Sequence, residues 1–143
     1  MQAFVTGGTG FVGSHVVRSL LESGYKVTAL VRPSSNLGNL RSLEIYIVKG
    51  DLNDPHIWKQ MHGCNYLFHV AAHYSLWQKD RDLLYPHNVE GTRNLLAAAQ
   101  KAGISRTVYT TSVAAIGLGK SGQVVDETHQ SPVEKLVGDY KKS

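Results

Sequence analysis

The densest chemical signal in the sequence is the stretch Thr6-Gly7-Gly8-Thr9-Gly10-Phe11-Val12-Gly13-Ser14 near its start. Gly7, Gly10 and Gly13 stand three apart, and Gly8-x-Gly10-x-x-Gly13 fits the general dinucleotide fingerprint. Each glycine has a physical task. Gly7 and Gly8 permit a tight turn, Gly10 lets the backbone approach a pyrophosphate, and Gly13 lets a helix pack close to a strand. The start of that helix offers free N–H groups, from about Phe11 and Val12, to the phosphates. A P-loop is the rival reading, since Gly8 and Gly13 have its spacing. Ser14 stands where the phosphate-binding lysine must be, so that reading fails.

The ribose side of such a cofactor is read about 20 residues further on, where an Asp or Glu grips the hydroxyls of NAD. Here the second strand runs into Val31-Arg32-Pro33-Ser34-Ser35, with no acid. A guanidinium suits a 2′-phosphate through paired, charge-assisted hydrogen bonds. Arg32 therefore favours NADP over NAD; its plainer reading is a surface arginine at a strand end. His56, His62, His73, His87 and His129 show no paired ligand spacing, which excludes a metal site. His69 reads as a packed residue.

These positions need a scaffold, and the chain alternates short apolar runs with helical patterns. The predicted strands are AFVT, KVTALV, EIYIVKG, NYLFHVAA and RTVYTTS. The first helix follows the glycine turn, with Val12, Val16 and Leu20, then Val17 and Leu21, on one face and Gly24 as its stop. Asp54-Pro55 predicts a second helix to about His62. A long helix starts near Asp82 or Asn88 and runs to Ala102, with Leu95, Leu96 and Ala99 inward. The stretch GLGKSGQVVDETHQSP reads as a loop, and Pro132 opens a last helical segment. This alternation predicts an α/β fold: a doubly wound, Rossmann-type parallel sheet of order 3-2-1-4-5 in a single domain spanning 1–143. Ligand should bind past the carboxyl ends of strands 1 and 4.

Composition agrees and narrows the partners. The chain is 42% hydrophobic and 18% charged, an ordinary balance for a packed domain. No apolar run approaches the ~20 residues of a membrane span, and the start shows no signal peptide. The net charge of +4 is spread out, its longest basic run being Lys141-Lys142, which argues against nucleic acid and for a polyanionic small molecule. The single cysteine, Cys64, fits a reducing cytoplasm.

Taken together, TGGTGFVG, GDLND, HVAA, NVEGTRNLL, YTTSVAAIG and DYKKS resemble the extended short-chain dehydrogenase/reductase superfamily, of the NAD-dependent epimerase/dehydratase type, in the right order along the whole chain. LVRPSSNLGNL, HVAAHYSLW and VGDYKKS are similar to the branch of dihydroflavonol-reductase-like proteins and hopanoid-associated sugar epimerases. The resemblance implies that Asp51 and Leu52 lie beside the adenine and that Val70, Ala71 and Ala72 line the cofactor. It also implies that Asn88 orders the active-site helix, that Ser112 is the catalytic hydroxyl and that Tyr140 is the catalytic phenol. Thr111 is a weaker candidate than Ser112, because strand alternation should let only one of the two face the site. Tyr74 and Trp77 read as core or as substrate pocket.

The implied chemistry is coherent. A free tyrosine titrates near 10, and a neighbouring ammonium lowers that value. A lysine four residues after the tyrosine shares its helix face and supplies the ammonium. The phenol can then exchange a proton with a substrate carbonyl or alcohol while a nicotinamide exchanges hydride. The sequence ends one position short of that lysine, and the family's further strands and substrate region have no counterpart in it. The expectation is a truncated, N-terminal half of an NADP-dependent oxidoreductase or epimerase acting on a sugar nucleotide or a dihydroflavonol-like ketone. These 143 residues would be inactive alone, with strand 5 as an exposed edge. A non-catalytic NAD(P)-binding module is the alternative. The resemblance also allows a homodimer of the full-length protein, through the long helix and the last one.

Overall fold

The computed structural model describes every residue except Leu76, Lys120 and Gln130, and only the backbone of Gln78. The third residue of the Tyr74–Trp77 stretch and two positions of the loop before Pro132 thus lie outside the described residues. Five strands form one parallel sheet: β1 (Gln2–Thr6), β2 (Lys26–Val31), β3 (Tyr46–Lys49), β4 (Tyr66–His69) and β5 (Arg106–Tyr109). Their order is β3-β2-β1-β4-β5, as expected. The central strand pairs Val5 with Ala29 on one side and with Phe68 on the other.

Side-chain alternation along β1 divides the core between the two faces of the sheet. Phe4 packs with Leu67, Ile57, Met61 and Leu95. Ala3 and Val5 pack with Val27, Ala29, Val17 and Leu20. Each Leu, Ile or Phe fully buried here contributes about 1.5–3 kcal/mol from removal of apolar surface from water. The second face is covered by α1 (Phe11–Glu22), whose Val17 and Leu20 are buried. This helix ends in a Schellman closure: the N–H of Gly24 (φ +77°) donates to Leu21 O and that of Tyr25 to Leu20 O. Val12 departs from the expected apolar face. It lies in the first turn, beyond the reach of the core, and is 54% exposed.

The first face is covered by the helix that follows β4. It is not continuous: α2 (Arg81–Tyr85) passes through a π-helical turn (Pro86–Glu90) into α3 (Gly91–Lys101). Pro86 has no N–H to give to the helical ladder, so the ladder is open where the wider turn begins. Leu95, Ala98 and Ala99 are buried, but Leu96 faces outward, because positions 95 and 99 already define the inward stripe.

Several boundaries differ from expectation. The predicted helix after Asp54 is a 3-10 stretch, Ile57–Met61. The Asp54 carboxylate accepts from the His56 N–H two residues on, which favours a tight turn over an α-helical start. Strands 4 and 5 stop at His69 and Tyr109, before Ala72 and Ser112. Past Pro132 there is a 3-10 turn (Val133–Lys135) and then α4 (Asp139–Lys142), held to α2 by an Arg81–Asp139 ion pair at 3.2 Å. All of β5 is exposed. Among the described residues no helix is long and apolar enough to cross a membrane.

Candidate functional site

A cleft of about 260 Å³ opens at the carboxyl ends of β1, β2, β3 and β4. Gly7 and Gly10 form one wall, Arg32, Asp51 and Leu52 another, and Val70, Ala71 and Ala72 a third. A smaller pocket of about 60 Å³ adjoins it past Ala71 and Ala72. Asn88, Ser112 and Tyr140 line this second space. Eleven of the fourteen expected site positions therefore border one or the other cavity, and Phe11, Val12 and Gly13 border neither. Thr111 lines the small pocket beside Ser112, contrary to the expectation that only one of them would. Strand alternation stops at Tyr109, and Ser112 instead caps a 3-10 turn, its Oγ accepting from the Ala114 N–H at 3.2 Å.

The glycine turn is built by two close approaches. Gly7 has φ +75°, and a Cβ there would lie 2.5 Å from the Ala71 nitrogen. A Cβ on Gly13 would lie 2.1 Å from the Gly7 carbonyl oxygen, so α1 meets the turn after β1 backbone to backbone. Gly10 is different. It is the extended N-cap of α1 (φ −79°, ψ 175°), and a Cβ there would meet only Gly7 O, at an ordinary 3.4 Å. The fold does not demand glycine at this exposed position. A ligand lying against the backbone would. Gly10 has no side chain to cap the helix, so the first-turn N–H groups at Phe11 and Val12 keep their donors for an anion.

Three asparagines fix the walls, and of these only Asn88 stands out in the sequence. Asn39 Nδ2 donates to Thr9 O at 2.9 Å, and Arg18 reaches from α1 to Asn39 O at 2.9 Å and Ser14 O at 3.1 Å. Asn94 of α3 donates to Leu52 O and to Asp54 O, tying down the loop after β3. Gly91 lets α3 sit on Leu52, where its Cβ would lie 3.1 Å from that side chain. Asn88, in the π turn, grips His73 at both ends: it accepts from the His73 N–H at 2.7 Å and donates to the His73 O at 2.9 Å. It also donates to Ser143 Oγ at 3.0 Å, so one side chain holds both the chain after β4 and the end of α4.

Tyr140 lies half-buried in α4, its ring edge-on to Tyr74 at 4.7 Å between centroids. Tyr74 is itself 64% exposed and borders neither cavity, and Trp77 is 71% exposed with the Lys79 ammonium 5.2 Å over its ring, so neither is a core residue. Beneath both cavities lies His69, wholly buried. Its Nδ1 is 2.7 Å from Thr6 Oγ1 and its Nε2 is 2.9 Å from Thr92 Oγ1. Burial pushes its pKa down to about 4, so it is a neutral linker among β1, β4 and α3. Arg32 is exposed on its wall, and among the described residues its guanidinium has no hydrogen-bond or ion-pair partner. Among the described residues no group of three or more His, Cys, Asp or Glu could hold a metal.

Known proteins share this sequence pattern and fold. The model of the NAD-dependent epimerase/dehydratase family matches residues 3–143. A Synechocystis protein named "Putative dihydroflavonol 4-reductase" is 68% identical over 140 residues, covering 98% of this chain and 41% of that protein. The crystal structure titled gox2253 superposes with a TM-score of 0.90 at 45% identity, over 98% of this chain and 43% of the other. A UDP-glucose-4-epimerase from Stenotrophomonas maltophila, solved with bound NAD, superposes with a TM-score of 0.83 at 27% identity, over 99% and 45%. The chain thus spans less than half the length of each of these proteins.

Proposed function

The chain belongs to the NAD-dependent epimerase/dehydratase family, and on that premise we propose that it is the cofactor-binding part of a longer NADP-dependent oxidoreductase or epimerase. Its substrate offers a carbonyl or alcohol, as a sugar nucleotide or a dihydroflavonol-like ketone does. One observation carries this reading: Ser112 and Tyr140 share a pocket that adjoins the glycine-turn cleft through Ala71 and Ala72. A mere nucleotide binder needs neither side chain.

The residues divide the work by position. The turn at Gly7 and Gly10, with the first-turn N–H groups of α1 at Phe11 and Val12, holds the pyrophosphate, and Gly13 keeps that helix close enough to do so. Arg32 meets the 2′-phosphate, while Asp51 and Leu52 border the adenosine. Val70, Ala71 and Ala72 floor the path toward the small pocket. A bound nicotinamide supplies or accepts hydride. Tyr140 gives or takes the proton at the substrate oxygen, and Ser112 hydrogen-bonds that same oxygen. Asn88 keeps α4 and the chain after β4 in register. Cytoplasmic location and a homodimer of the full-length protein, through the long helix α2–α3 and α4, belong to the same proposal.

Among these 143 residues no lysine shares the helix face of Tyr140: the position one turn on is Ser143, and Lys141 and Lys142 occupy other sides of α4. We therefore expect the residues described to bind the dinucleotide without significant turnover. Dehydrogenase activity in the purified 143-residue chain, abolished by Tyr140→Phe, would overturn that. In an enzyme of its relatives' length, Tyr140→Phe should lower kcat by about 10²–10⁴ and leave NADPH affinity within about twofold. Unchanged kcat would remove Tyr140 from the chemistry.

A further inference from the structure

The buried Thr6–His69–Thr92 chain is not explained by packing alone. An apolar trio would fill the same space without the cost of burying three polar groups. Thr6 is 1% exposed and His69 is 0% exposed, so every polar hydrogen there needs an acceptor. Thr6 Oγ1 already accepts from the Ala71 N–H at 3.4 Å. Among the described residues the only acceptor within reach of its own hydroxyl hydrogen is His69 Nδ1, at 2.7 Å. Thr6 therefore donates to Nδ1, and the single proton of the neutral ring sits on Nε2. That Nε2–H donates to Thr92 Oγ1 at 2.9 Å.

The consequence falls on Thr92. Its oxygen is engaged as an acceptor and its hydroxyl hydrogen remains free. A helical threonine usually returns that hydrogen to the carbonyl one turn back. Here no such bond to Asn88 O is present among the described residues. Thr92 lines the same small pocket as Ser112 and Tyr140. The Tyr109 ring, stacked on His69 at 5.0 Å and 13°, holds the imidazole in plane.

We propose that Thr92 donates a hydrogen bond to an oxygen of the nicotinamide-riboside end of the bound dinucleotide, and that His69 is the positioning residue that frees its proton by holding the Nε2–H tautomer. This rests on the dinucleotide reading of the cleft. The riboside end is the part of that ligand that must reach past Ala71 and Ala72 into the pocket.

Two measurements on the 143-residue chain test it. Long-range ¹H–¹⁵N NMR of the His69 ring at pH 7 should show a proton on Nε2 and none on Nδ1; an Nδ1–H ring or an imidazolium would overturn the proposal. Titration with NADPH and with 2′,5′-ADP, which lacks the nicotinamide riboside, then examines the donor. Thr92→Val keeps the shape and should weaken NADPH roughly fivefold, as one net hydrogen bond does, with 2′,5′-ADP unchanged. Thr92→Ser should restore NADPH to within about twofold. Equal loss of both ligands, or loss of neither, in Thr92→Val would overturn the donor role. Failure of the wild-type chain to bind either ligand would instead sink the dinucleotide reading, whatever the ring tautomer.

Discussion

Two glycines three residues apart should fail in opposite ways. A methyl at Gly13 would lie 2.1 Å from Gly7 O, 2.6 Å from Gly7 C and 3.0 Å from Gly8 Cα. All three are backbone atoms, and Gly7 cannot retreat, because its own Cβ position already lies 2.5 Å from the Ala71 nitrogen. Helix α1 must therefore lift off the sheet by about 1 Å. Overpacking of this kind costs about 3 kcal/mol, at the upper end of its range, and better helix propensity returns about 1 kcal/mol. Gly13→Ala should thus lose about 2 kcal/mol. With a urea m-value near 2 kcal/mol/M, its midpoint falls by about 1 M. A methyl at Gly10 meets only one atom, at 3.4 Å, so Gly10→Ala should lose only about 0.5 kcal/mol, the N-cap preference. Its defect should appear in NADPH affinity, at least about tenfold weaker, because the methyl stands where a phosphate must approach. Far-UV circular dichroism in urea and fluorescence titration with NADPH read the two quantities. Equal stability of the two variants, or wild-type affinity in Gly10→Ala, would refute the assignment of Gly13 to the fold and Gly10 to the ligand.

Further outcomes follow from single side chains. Arg32→Ala should weaken NADPH by about 10- to 100-fold, the loss of a charged hydrogen-bonded pair, and NADH by less than about twofold; equal losses would make Arg32 a surface residue. His69 has a folded pKa of about 4 against 6.5 unfolded, so its contribution is complete above pH 6.5 and is lost as pH falls toward 4. That loss amounts to roughly 3 kcal/mol, read as the difference in urea midpoint between wild type and His69→Gln at pH 7, 5.5 and 4.5. A difference independent of pH would contradict a neutral buried ring. Asn88→Ala removes both bonds to the His73 backbone, and should speed hydrogen exchange at the His73 amide by at least about tenfold while leaving β1 amides protected; parallel acceleration of both would mean global unfolding instead.

Much of this was legible in the sequence, for reasons that can be named. The parallel α/β fold was legible in short apolar runs alternating with helical patterns, although the connections after β2 and β3 hold only 3-10 turns. The glycine turn was legible because three tasks, a tight turn, a ligand approach and a backbone contact, each exclude a side chain. What the sequence hid depends on contacts across large separations. Asn94 and Asn39 look like ordinary helix and loop residues until they are seen gripping Leu52 and Thr9. Thr92 gave no local sign, because its partner lies 23 residues earlier on another element. The helix expected after Asp54 failed because Asp-Pro opens turns as readily as helices, and only the following packing decides. The reach of strand 5 was overestimated because Thr110, Thr111 and Ser112 have strand-like composition but turn away past Tyr109.

We propose that one ligand runs from the glycine turn to the Ser112–Tyr140 pocket. NADPH added to the ¹⁵N-labelled chain tests it most directly. Shifts are expected at Gly10–Gly13, Ala71–Ala72 and Ser112 that saturate together, with the shift at Ser112 absent when 2′,5′-ADP is used. No shift at Gly10–Gly13, or a Ser112 shift that is the same with both ligands, would contradict it.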